Sequence, residues 1–151
     1  MLKDFKKMIA ISMAVIFFIA LDRFFKVFSF ANQASEFNLL GEILKFSYKN
    51  NYYIAFSLPL AGWPLMILIA LIIVILILFG LACLKKAQIF KAVALSLIIA
   101  GASSNLFDRL KYGFVIDYLD LKYFTVFNLA DIMITVGVIL LLLSIKNHKY
   151  E

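Results

Sequence analysis

"PLMILIALIIVILILFGLACL", residues 64–84, contains no charged side chain. A helix needs about 20 residues to cross the hydrocarbon core of a bilayer, and this run supplies them. It is apolar on every side, the pattern of a plain lipid-facing or packing helix. Three further apolar stretches lie at about 8–30, 88–107 and 124–145. The 151-residue chain is 65% hydrophobic and has a mean hydropathy of +1.01. A soluble domain of that length carries roughly 45–50% apolar residues. The expected fold is therefore a membrane all-α domain spanning 1–151, a four-transmembrane-helix bundle with a small β element. The first stretch follows "KDFKK" and has the outline of a signal peptide. Asp22, Arg23 and Lys26 would fall inside its processing region, so a retained helix is the better reading.

Lysines set the orientation. Lys3, Lys6 and Lys7 precede the first stretch, Lys85, Lys86 and Lys91 flank the short link between the second and third, and Lys146 and Lys149 follow the fourth. These segments belong together on the cytoplasmic side, with both termini, and the connections at about 31–63 and 108–123 face outward. The net charge of +6 is thus spent on topology and gives no reason to invoke nucleic acid. Cys83 is the single cysteine and His148 the single histidine, in the charged C-terminal tail. No internal disulfide forms, and a zinc site of histidine and cysteine is excluded.

The first outward connection alternates Leu44, Phe46 and Tyr48 against Lys45, Ser47 and Lys49, a strand pattern. Asn50–Asn51 offers a turn, after which "YYIAFS" returns as a second strand. "YGFVIDYLDLKYF" is rich in β-formers and opens after Gly113. A β-platform over the outer ends of the helices follows.

Polar residues inside spans mark functional sites, and here they gather at one level. Asp22, Arg23 and Lys26 lie in the outer third of the first span. The third ends in "GASSNLFDRL", and the fourth begins with Asn128 and Asp131. Asn105 and Asp108 share a helix face, as do Asn128 and Asp131, while Asp22 and Lys26 are spaced to pair. Gly101 and its small neighbours let another helix approach closely. Asp108 beside Arg109 reads equally as an ion pair holding a helix end. Asp131 has no basic residue within a turn and is the hardest to explain structurally.

With no histidine in the spans, the lone thiol of Cys83 at the end of an apolar helix, and only a weak Ser–Lys option in Lys26 with Ser103 or Ser104, the available chemistry is that of carboxylates. Two close aspartates share a proton. The ionised one then activates water while the protonated one polarises a carbonyl, which needs no metal or cofactor. Asp131 is one member. Spacing leaves Asp108 and Asp117 open as the other.

"DRFFK" (22–26), "NYYIAFS" (51–57), "GASSNLFDRLKYGFVID" (101–117) and "FNLAD" (127–131) together resemble the ordered motifs of bacterial lipoprotein signal peptidase, also called signal peptidase II. The resemblance runs from the first span to the fourth. It implies an aspartyl endopeptidase of the bacterial inner membrane, cutting diacylglyceryl-modified prolipoproteins just before the lipidated cysteine. It implies Asp117 and Asp131 as the catalytic pair, and supporting or substrate-binding roles for Asp22, Lys26, Asn51, Ala55, Phe56, Asn105, Asp108, Arg109, Asn128 and Ala130. Its partners would be prolipoproteins and membrane lipid, with the enzyme working as a monomer. Tyr53 and Ser104 stand where the family usually has glycine. Two rival readings remain. A cation- or proton-coupled carrier needs polar residues through the whole depth of the membrane, and a scaffold subunit leaves Asp131 in want of a partner.

Overall fold

The structure is a computed structural model that describes residues 2–53 and 61–147. Within them the chain is mostly helical with one small antiparallel sheet. The order is α1 (Leu2–Ala31), β1 (Phe37–Leu40), β2 (Leu44–Asn51), α2 (Gly62–Lys85), α3 (Ile89–Tyr112), β3 (Val115–Leu121), β4 (Val126–Phe127) and α4 (Leu129–Asn147). Both α2 and α3 are long and apolar enough to cross a membrane, and α4 carries a shorter apolar stretch, Leu129–Ser144. Pro64 sits in the first turn of α2, where a missing N–H costs nothing.

The core lies along α3, which packs against α4, α2 and α1. Two glycines permit the α3–α4 contact. A Cβ on Gly101 would strike the Ala130 carbonyl and come within 2.8 Å of Ile134, and one on Gly137 would sit 2.7 Å from the Ala94 carbonyl. The first of these contacts lets the N-terminal turn of α4 press onto α3. The third apolar stretch continues as helix past 107 to Tyr112, so Asp108 and Arg109 belong to α3 and not to the outer connection. Gly113 ends it at φ 82°, its N–H bonded to the Arg109 carbonyl, and turns the chain into β3. The fourth stretch becomes helical only at Leu129, because Val126–Phe127 pair with Asp120 and Leu119 of β3.

The sheet order is β1-β2-β3-β4, all antiparallel. The alternation expected of residues 44–49 is broken, since Phe46 and Ser47 are both buried. The β2–β3 register shifts between Phe46 and Lys49, and a bulge there points two successive side chains inward. Asn50 and Asn51 do not turn the chain. They extend β2 opposite Ile116 and Val115, where the ladder satisfies their backbone groups. The expected return strand in "YYIAFS" falls largely outside the described residues. The sheet rests on the end of α1 through an aromatic layer in which Phe46 meets Phe25, Phe28 and Tyr118 at centroid distances of 6.0, 5.8 and 5.4 Å.

Candidate active site

The first turn of a helix leaves four N–H groups without partners, and at α4 side chains accept from all four. Asn128, the N-cap, accepts from the Asp131 N–H at 3.0 Å. The Asp131 carboxylate reaches back to the Asn128 N–H at 3.1 Å. This reciprocal pair is a capping box with Asn and Asp in place of the usual Ser/Thr and Glu. The Leu129 N–H bonds the Tyr118 hydroxyl at 3.1 Å, and the Ala130 N–H bonds Asp22 at 3.2 Å. "NLAD" is therefore a helix-start signature as well as a polar pair on one face, and the capping spacing was legible in the sequence.

Asn128 also joins the second carboxylate. Its side-chain amide donates to Asp117 Oδ1 at 2.6 Å, to Asn105 Oδ1 at 3.2 Å and to the Ile116 carbonyl at 3.3 Å. Asp117 Oδ2 accepts from Asn51 at 3.0 Å, which explains why Asn51 stays in the strand. Asp131 Oδ1 accepts from Asn105 at 2.8 Å. Thus Asp117 on β3 and Asp131 on α4 are held by amides and backbone N–H groups, and among the described residues no cation is bonded to either. Asp117 is 2% exposed. Burial first, and the charge of Asp131 next, push its carboxyl up to about 7.

Directly behind lies an ionic cluster. Lys26 spends its three N–H donors on Asn105 at 2.7 Å, Asp108 at 2.8 Å and Asp22 at 3.2 Å. Arg23 bonds Asp108 at 2.7 Å and lies over the Phe107 ring. Ser104 donates to Asp22 at 2.6 Å and the Tyr118 hydroxyl does so at 3.1 Å. Asp108 also accepts from the Ile116 N–H at 3.3 Å. Lys26, Asp22 and Asp108 are all buried.

Two sequence readings change here. Asp108 pairs with Arg23 and Lys26 of α1, not with Arg109, because consecutive helix residues face different ways. Arg109 instead donates to the Tyr53 carbonyl at 2.9 Å, tying the chain after β2 to α3. A Ser–Lys pair finds no support: Lys26 is fully engaged, Ser104 donates to Asp22, and Ser103 is exposed. The structure thus brings together Asp22, Lys26, Asn51, Asn105, Asp108, Asp117, Asn128, Ala130 and Asp131, with Arg109 at their rim. Ala55 and Phe56 lie outside the described residues. Sequence reasoning missed Tyr118 and the reach of Arg23, whose partners are 96 and 85 residues away.

Apolar helices that gather buried carboxylates and amides at one end, beside a small sheet, are the architecture of a membrane enzyme. Two solved structures of bacterial membrane enzymes determined by the in meso method share it. One, at 2.3 Å, has a TM-score of 0.78 and 26% identity, over 93% of this chain and 89% of its own. The other, at 1.9 Å, has a TM-score of 0.74, again at 26% identity. The model of the signal peptidase (SPase) II family matches residues 14–146. The lipoprotein signal peptidase of Caldicellulosiruptor bescii is 44% identical over 117 residues, 78% of this chain and 77% of its own. That of Clostridium novyi is 31% identical over 134 residues, 84% and 90%. The chain belongs to the signal peptidase II family.

Proposed function

We propose that Asp117 and Asp131 are the two catalytic carboxylates with which this family member cleaves signal peptides from prolipoproteins. The observation that carries the assignment is the two hydrogen bonds donated by Asn128, whose side chain holds Asp117 at 2.6 Å while its backbone N–H holds Asp131 at 3.1 Å. One residue thus locks both carboxyl groups.

In this reading Asp117, its carboxyl raised to about 7, carries the proton. Asp131 is the ionised partner that takes a proton from water. The resulting hydroxide attacks the carbonyl of the residue before the diacylglyceryl-modified cysteine. The Asp117 proton supports the developing oxyanion. The proton taken up by Asp131 passes to the amide nitrogen, and collapse of the tetrahedral adduct breaks the C–N bond. This leaves a free amine on the lipidated cysteine and a carboxylic acid on the signal peptide that then ionises, with Asp131 again ionised and Asp117 again protonated. Asn51, Asn105 and Asn128 hold the pair, while Asp22, Lys26 and Asp108 fix α1 against α3 behind it. Ala130, fully buried, leaves room at the turn. Arg109 anchors Tyr53, and Ala55 and Phe56 are assigned contact with substrate.

All four helices span the bacterial inner membrane in this proposal, with residues 1–151 forming one membrane-embedded domain and both termini cytoplasmic. The sheet forms a platform at the outer leaflet, where prolipoprotein and lipid enter sideways and a monomer suffices. The exposed Ile67, Leu71, Val74, Ile75 and Leu78 of α2 suit contact with lipid. The test is cleavage of a diacylglyceryl-modified prolipoprotein by purified Asp117→Asn and Asp131→Asn. Each should keep its helical content and lose about 10²–10⁴-fold in rate, the usual worth of acid–base catalysis. Wild-type turnover in either variant would sink the assignment.

A further inference from the structure

Tyr118 follows Asp117 in β3, and its side chain is 1% exposed. Its ring lies between Phe25 and Phe46, at centroid distances of 5.6 and 5.4 Å. Those contacts account for the ring but not for the hydroxyl, which phenylalanine would lack. The hydroxyl donates to Asp22 at 3.1 Å and accepts from the Leu129 N–H at 3.1 Å, two residues before Asp131.

Successive strand residues point to opposite faces, yet Asp117 and Tyr118 both reach the first turn of α4. Asp117 does so through the Asn128 side chain, and Tyr118 through the Leu129 backbone. A strand held at one point swings about it, whereas one held at two keeps its distance and angle. Asp22 completes the clamp by accepting from both the Tyr118 hydroxyl and the Ala130 N–H.

We propose that Tyr118 is a positioning residue: its hydroxyl fixes β3 against α4 and so sets the geometry between the Asp117 and Asp131 carboxylates. It touches neither carboxylate and acts only through the α4 backbone and Asp22. Burial and the charge of Asp22 keep the hydroxyl protonated across the working pH range, so the clamp does not titrate. The inference rests on the Asp117–Asp131 reading, because only a reaction that needs both groups in register suffers when their spacing loosens.

Tyr118→Phe removes the hydroxyl alone and keeps the aromatic layer. In the full-length protein, well below its melting temperature, kcat should fall about 10-fold or more with KM within twofold, since a misplacement of about 1 Å can cost 10²-fold. Hydrogen exchange of the 128–132 amides should quicken about tenfold, the equivalent of one net hydrogen bond, while later α4 amides keep their protection. A purely stabilising hydroxyl would lower the melting temperature and leave kcat per folded molecule unchanged, and that result overturns the proposal. Wild type and Asp131→Asn run alongside. If Asp131→Asn stays active, the catalytic reading itself has failed. If it is inactive while Tyr118→Phe matches wild type, only the positioning role has failed.

Discussion

Four aspartates stand at the same end of the helices, and their neighbours divide them into two pairs. Asp22 and Asp108 share Lys26 and Arg23, with N–O distances of 2.7–3.6 Å. Asp117 and Asp131 are met by Asn51, Asn105, Asn128 and a backbone N–H. Each cluster satisfies its oxygens, yet the chemistry differs. A carboxylate matched by a buried cation is bound to its charge and serves as a fastener. A carboxyl held by neutral amides keeps its geometry whether or not it bears a proton, which is the freedom that acid–base work requires. Asn105 joins the two, accepting from Lys26 and donating to Asp131.

The two aspartate-to-asparagine variants bear hardest on that contrast, through activity alone. Next in size is Lys26→Met, which strands buried charge on Asp22 and Asp108. Removing one partner of a buried ion pair costs about 3–5 kcal/mol, so thermal unfolding should show a large loss. A small shift would mean that Arg23 alone carries the fastener.

Asn51→Ala probes the amide cluster with a smaller effect. The Asp117 carboxyl titrates near 7, far above the ordinary value of about 3.9. Its proton is present below that pH and lost above it, so kcat/KM should fall on the alkaline side around pH 7. The Asn51 amide favours the charged form. Removing it should move the limb to higher pH by up to about one unit, since a net hydrogen bond and one pKa unit are of similar size. A limb that moves down, or stays, breaks the link between this proton and turnover. Smallest is Glu42→Gln. It removes the exposed Lys122–Glu42 pair, 2.8 Å apart on the sheet surface. Exposed pairs are worth about 0–1 kcal/mol, so the melting temperature should barely move.

Much of this was legible in the chain. The apolar run at 64–84 required a helix of membrane length, and the polar residues at 22–26, 101–109 and 128–131 announced a shared level. The motif order, more than any spacing, is the ground on which Asp117 rather than Asp108 is proposed. Other features were closed to sequence reading. Asp108 beside Arg109 looks like a local pair, yet a helix turns its neighbours about 100° apart and the real partners lie on α1. The alternation at 44–49 was sound local evidence for a strand, but a bulge is a property of two strands and not of one. The late start of α4 at Leu129 depended on β4 pairing with β3.

By itself the sequence determined which segments are apolar and long, and that the polar residues inside them would gather at one end. Burying polar groups is so costly that their sparse placement carries information. It also held the carboxylate inventory and the capping signal at "NLAD". Only the tertiary structure decided which aspartates meet cations and which meet amides. Those partners come from α1, β2, β3, α3 and α4, separated by up to 108 residues, and no local pattern encodes a contact that exists only once the helices have packed. Gly101 shows the join between the two levels: its lack of a side chain is written in the sequence, while the carbonyl it makes room for, that of Ala130, is supplied by the fold.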